Sequence, residues 1–257
     1  MHAISAAAAT LVAVAFSLSA LDRYRDTRRR HQLMWTIALA MFAAGSLSLF
    51  VGDSVGWGTW TYKSFYLFGA ILNVPFLALG TVYLLGGIRR GDRAAAVVSL
   101  LGAFAAGMVV MAPMVGEIDP EVLPQGSDVF GAGPRIAAAM ASGIAATVII
   151  VGALWSVASL LRSPRPPGAG RLAAANVCIA LGTLVLSASG LLNSVFDEME
   201  AFAVTLVVGI TIIFVGFLIT NRRSVAPPVA WRPAPEISAG LGEGPSRSSL
   251  VGARPRT

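Results

Sequence analysis

The sequence predicts an all-α fold, a polytopic membrane protein built as a bundle of seven transmembrane helices. Three observations carry that prediction. Only 12% of the residues are charged and 56% are hydrophobic, with a mean hydropathy of +0.74, whereas a soluble domain spends about a quarter of its residues on Asp, Glu, Lys and Arg. Uncharged runs long enough to cross about 30 Å of hydrocarbon as a helix recur along the chain. Basic residues gather in alternate connecting segments.

The seven runs are 3–21, 33–52, 64–88, 94–116, 136–161, 172–194 and 201–220. None alternates with the period of a barrel strand, and backbone groups in lipid must be satisfied within their own segment, so each run is expected to be a helix. The first begins MHAISAAAAT, with no basic residue ahead of the apolar stretch. That order is the reverse of a signal peptide, so the first helix is expected to be retained.

The connections assign an orientation. Arg23, Arg25, Arg28, Arg29 and Arg30 follow the first run; Arg89, Arg90 and Arg93 follow the third; Arg162, Arg165 and Arg171 follow the fifth. Six more arginines lie beyond residue 221, which leaves only Lys63 and Arg135 for the alternate side. Arginine accumulates on the cytoplasmic face, so the N-terminus is expected outside and the C-terminus inside, in the plasma membrane of a bacterium. Residues 1–220 then form the transmembrane domain. Residues 221–257, rich in Pro, Gly, Ser and Arg without helical periodicity, are expected to be a disordered cytoplasmic tail. The basic charge is a product of topology, and no nucleic acid is expected as a partner.

Small and polar residues at helical spacing mark faces turned toward other helices. In the third run Tyr62, Tyr66, Gly69, Asn73, Phe76, Gly80, Tyr83 and Gly87 step by three and four and share one face. Asn73, mid-span, needs a partner and is expected to bond across to another helix, while Pro75 removes a backbone donor and invites a kink. The sixth run repeats the pattern with Asn176, Thr183, Ser187 and Gly190. Such faces serve either helix packing or a ligand pocket. For a pocket the lining would be Tyr62, Lys63, Tyr66, Asn73, Tyr83, Asn176, Thr183 and Ser187.

The stretches YKSFYLFGA and LGTVYLLGGIRR resemble segments that recur in seven-span membrane proteins of high-GC, actinobacterial-type bacteria. The resemblance covers two helices and the seven-span layout, and no activity comes with it. Arginine in place of lysine fits that codon usage, and Lys63 is the single lysine in the chain. Its neighbours Trp57, Trp60, Tyr62 and Tyr66 are of the type that gathers at headgroup level. Lys63 is therefore expected to be an interfacial anchor that reaches water along its alkyl stem, with a counter-ion role toward Asp53 or an acidic ligand as the alternative.

Several chemistries lack their residues. Neither His2 nor His31 lies in a run, so axial haem ligation and a buried His-based zinc site have no ligands there. No Asp or Glu sits mid-span for a proton relay, and the seventh run has no lysine for a retinal Schiff base. Ser187 to Gly190 reads SASG with no accompanying base. Cys178 is read as a small apolar residue, and Met108, Met111 and Met114 as filler. Glu117, Asp119, Glu121 and Asp128 lie in the longest exterior loop and Asp197, Glu198 and Glu200 in the last one; exterior solvation accounts for them as readily as a Ca²⁺ or Mg²⁺ site. No cofactor is expected. The leading expectation is a non-enzymatic binder of a lipid, a small apolar ligand or a partner membrane protein within the bundle. A small permease without ion coupling and a lipid-headgroup enzyme using the outer carboxylates are the alternatives.

Overall fold

Uncharged, helix-favouring runs that cannot expose their backbone to lipid leave one solution, and the computed structural model, which describes residues 2–162, 174–175, 177–186 and 199–221, has helices throughout. They are α1 (His2–Thr27), α2 (Arg30–Val55), α3 (Thr59–Phe65), a π-helical turn (Tyr66–Leu72), α4 (Asn73–Met111), the short α5 (Gly126–Val129), α6 (Ala132–Arg162), α7 (Val177–Leu186) and α8 (Met199–Asn221). Four stretches among the described residues are long and apolar enough to cross a membrane: Ala6–Thr27, Arg30–Val55, Thr59–Met111 and Ala132–Ser159. The tail beyond Asn221 lies outside the described residues, as do Asn176 and Ser187.

The third of these stretches has 53 residues. Held straight it would run about 80 Å, far more than a bilayer. It does not run straight. Gly87 has φ 78° and ψ 178°, a conformation that excludes side-chain-bearing residues, and the chain doubles back there. Three pairs fix the register. The Tyr83 ring packs against Gly91, Leu72 lies 3.2 Å from the Cβ position of Gly102, and Lys63 Nζ reaches the Val110 carbonyl at 2.8 Å. All three pairs are centred within half a residue of Gly87. The expected pair of runs, 64–88 and 94–116, is thus an antiparallel helical hairpin with Gly87 in its turn. Its second arm ends at Met111, short of the expected residue 116, because Ala112 takes the extended conformation required before Pro113 (ψ 126°).

The other ends shift as well. α1 continues past residue 21 through the arginine-rich segment to Thr27, then stops at Arg28, whose φ of 51° makes a left-handed cap. α2 packs along α1 and the first arm of α4, α6 packs on α4, and α8 packs on α1. The described helices form one compact unit. Its main core is formed by Leu49, Trp57, Tyr62, Ile71, Val109, Leu123, Val129 and Phe130 with small residues of α1. At the opposite end of the first arm, the Tyr83 hydroxyl donates to Asp92 Oδ1 at 2.7 Å, and Arg30 pairs with the same oxygen. The turn of the hairpin is thereby tied to the start of α2.

Candidate functional site

The strongest concentration of aromatic and polar groups lies where α3 begins and segment 112–131 closes over the bundle. Trp57 anchors that closure, its backbone N–H donating to the Pro120 carbonyl at 2.9 Å. Val115 N–H donates to the Val129 carbonyl at 2.9 Å, and Met114 and Phe130 form an antiparallel bridge. The segment is therefore a pinned ribbon. Asp119, one of the acids expected outside, is spent within it, its Oδ1 accepting the Glu121 N–H at 2.9 Å. Among the described residues no three His, Cys, Asp or Glu side chains gather closely enough to hold a metal ion.

Beneath the ribbon the rings stack in series. Tyr62 lies 5.8 Å from Tyr66, 5.4 Å from Phe130 and 6.2 Å from Trp57, and Tyr66 meets Phe130 edge-on at 5.0 Å. Tyr62 is 1% exposed and Trp57 4%. Helical spacing of four brings Tyr62 and Tyr66 to one face, and α5 brings Gly126 against both. The point where a Cβ on Gly126 would sit is 3.4 Å from the Tyr66 hydroxyl and 3.6 Å from that of Tyr62. The buried indole N–H of Trp57 makes no hydrogen bond among the described residues.

Lys63 does not behave as the expected anchor. It is 8% exposed, and its ammonium donates to the carbonyls of Val110 at 2.8 Å and Ala112 at 2.9 Å while lying 5.6 Å from the centre of the Trp60 ring. The last carbonyls of a helix have no partner within it and carry its negative end. Lys63 caps them. The physical reason is proximity: the hairpin turn at Gly87 delivers the end of the second arm to the start of the first, so the ammonium finds acceptors without leaving the protein.

Asn73 also departs from expectation. Its Oδ1 accepts the N–H of its neighbour Val74 at 2.7 Å. The cross-helix bond at this level comes from Ser142 on α6, whose hydroxyl donates to the Ala70 carbonyl at 2.5 Å. These two side chains serve both ends of the rung that a regular helix would close between Val74 N–H and Ala70 C=O, where the π turn meets Pro75. A backbone carbonyl left without a donor in an apolar setting costs about 1–3 kcal/mol. Ser142→Ala is therefore expected to lower stability by about 1–2 kcal/mol in detergent-denaturation titrations, and Ser142→Thr to retain most of it.

The remaining candidates are dispersed. Tyr83 is one arm-length from Tyr62, about 30 Å along the helix, and its hydroxyl is engaged by Asp92. Thr183 on α7 is buried and donates back to the Ile179 carbonyl at 2.8 Å. A shared face at 3.6 periodicity is a line along the helix, so residues on it need not converge. Among the described candidates, only the Tyr62 and Tyr66 hydroxyls, on the ribbon side, are brought together without a hydrogen bond to another described residue. Phe130 and Gly126, which complete this arrangement, were not among the candidates; the aromatic in an otherwise polar loop was the available signal. No protein-family model, no curated protein and no solved structure matches this chain.

Proposed function

We propose that this chain is a seven-span, non-enzymatic protein of the bacterial plasma membrane, with its N-terminus outside and C-terminus in the cytosol. Its role in this reading is to bind a lipid or other apolar ligand, with a partner membrane protein as the alternative occupant, at the outward end of the bundle. Thr59–Met111 supplies two of the crossings because it reverses at Gly87. α7 and α8 would supply the last two.

The observation that carries the binding role is the ring cluster under the 112–131 ribbon. Lys63, Asn73, Tyr83 and Thr183 satisfy the protein's own backbone or side chains, whereas the Tyr62 and Tyr66 hydroxyls converge on Gly126. Converging polar groups within an apolar, aromatic surround are the ordinary makings of a ligand site.

Delipidated protein in detergent is expected to gain about 5 °C or more in Tm when a bacterial polar lipid extract is added, as saturating ligands do for a chain of this size. Tyr66→Ala should remove most of that gain. A Tm indifferent to every lipid fraction would sink the binding role. For the orientation, a reporter fused after Thr257 is expected to be active only in the cytosol, and activity in the periplasm would reverse it.

A further inference from the structure

We propose that the end of the bundle opposite the ring cluster holds an anionic phospholipid of the phosphatidylglycerol type. Its phosphodiester would sit on arginines of two turns: Arg28 and Arg29 between α1 and α2, and Arg89, Arg90 and Arg93 where the hairpin reverses. This goes beyond the outward reading and does not rest on it, since Tyr83, at this end, is about 30 Å along the helix from Tyr62.

One carboxylate fastens the two turns together. Arg30 and Asp92, 62 residues apart in sequence, form an ion pair. The same Asp92 Oδ1 accepts the Tyr83 hydroxyl at 2.7 Å, and Gly91 packs against the Tyr83 ring. Residues 22–30 and 88–93 thus bring eight arginines to one end with three aspartates, Asp22, Asp26 and Asp92. Asp92 is committed to Arg30 and Tyr83, and Asp22 lies 3.9 Å from Arg25. The side chains of Arg29, Arg89, Arg90 and Arg93 are exposed and make no ion pair or hydrogen bond among the described residues. Arg28, also exposed, lies over the Tyr24 ring at 5.9 Å.

Crowded like charges repel one another, and an anionic partner relieves that repulsion. Where spanning helices end, the headgroup layer supplies such a partner, and a phosphodiester accepts the paired N–H donors of a guanidinium. Orientation in the membrane asks only for the number of arginines beside each span. It does not ask that two turns be fastened side by side with a carboxylate between them used up. A choline lipid gains less here, because its quaternary ammonium meets the same arginines unfavourably. The second arm favours a lipid over a free phosphoester. Val97, Leu100 and Phe104 continue from Arg93 at helical spacing and are 56%, 72% and 67% exposed, a strip on which an acyl chain can lie below the phosphate.

The test uses the full chain, delipidated in neutral detergent and titrated with phosphatidylglycerol or phosphatidylcholine under native mass spectrometry. A basic residue near an anionic surface contributes about fivefold in affinity, so phosphatidylglycerol is expected to bind at least about tenfold more tightly. Arg89→Gln/Arg90→Gln/Arg93→Gln and Arg28→Gln/Arg29→Gln should each weaken it at least about fivefold and leave phosphatidylcholine unmoved. Arg247→Gln/Arg254→Gln/Arg256→Gln removes as much charge from the tail as the hairpin triple does and should change neither lipid by more than about twofold. Wild type gives a readout that needs no variant to fold. Raising ionic strength from about 0.1 to 1 M shortens the screening length from about 10 to 3 Å and should abolish the preference. Soluble glycerophosphoglycerol should not compete at about a hundredfold excess. Equal binding of the two lipids, a preference indifferent to salt, or equal losses from the tail and hairpin triples would overturn the site. Competition by glycerophosphoglycerol at equal affinity would overturn the lipid source in favour of a soluble phosphoester. Tyr66→Ala should keep the preference. Its loss there would move the anionic lipid to the outward cluster and overturn this site while leaving the outward reading standing.

Discussion

Gly45→Leu is expected to destabilise the bundle by about 3 kcal/mol or more, the upper range for overpacking a well-filled interior. A Cβ built on Gly45 would stand 2.9 Å from both Cα and N of Gly69 and 3.4 Å from the Phe68 carbonyl carbon. All three are backbone atoms of the π-helical turn, so no rotamer change can make room. α2 and the turn must separate. Separation is costly here because helices in lipid are held by close packing, without a hydrophobic term to draw them together. It would also loosen the contacts of Leu49 and Ile71, each 1% exposed. Gly45→Ala, which already reaches 2.9 Å, should cost about 1–2 kcal/mol. Gly107→Ala is the control: nothing lies within 4 Å of its Cβ position, so alanine's better helix propensity should leave stability equal or raise it by up to about 1 kcal/mol. Unfolding in increasing mole fraction of dodecyl sulfate, followed by the fluorescence of the five tryptophans, ranks the three. Coincident curves for Gly45→Leu and wild type would mean that α2 does not lie on the π turn.

How much of this was legible in the sequence depends on distance along the chain. Helix existence was legible, because lipid removes every alternative and the test is local: a long uncharged run with arginines beside it. A reversal was legible in the RRGDR that follows Ile88, but its place was not: the turn is at Gly87, which the sequence put on the helical face, and RRGDR is helical in the second arm. Helix ends were less so. Charged residues 22–27 continue α1 although no apolar run extends there, and only Pro113 signalled that the second arm stops near Met111. The π turn left no mark, since the step from Tyr66 to Gly69 to Asn73 reads as ordinary helical spacing. The candidate site was visible as residue types and invisible as partners. Tyr62 and Tyr66 stood out, but the groups they face, Gly126 and Phe130, lie some sixty residues away and arrive through an irregular ribbon with no periodicity to read. Asn73 was rightly seen as a polar group in need of a bond. That it would take its neighbour's N–H, and leave the bond between helices to Ser142, comes from the junction of the π turn with the helix at Pro75 and from nothing in the local pattern.

Lys63 gives the sharpest distinction between the two descriptions. As a surface anchor it would contribute well under 1 kcal/mol, would be replaceable by arginine, and would tolerate methionine with little loss. As a cap buried at 8% exposure with two carbonyls on its ammonium, it has different consequences. Lys63→Met removes two charge-assisted bonds and leaves the Val110 and Ala112 carbonyls without their donor at the negative end of the second arm. Each such bond contributes about 1.5–3 kcal/mol net, so the loss is expected to be about 3 kcal/mol or more. Arginine should restore only part of it, because its planar fork is longer and cannot place two donors as one tetrahedral ammonium does. The damage should also spread in a particular direction. Ala112 is where the 112–131 ribbon begins, so releasing it should expose amides of that ribbon, Val115 and Val129 among them, to hydrogen exchange before the helices open. Dodecyl sulfate titration measures the energy and exchange mass spectrometry the direction. A Lys63→Met protein that melts with wild type and keeps its ribbon protected would return the lysine to the membrane surface.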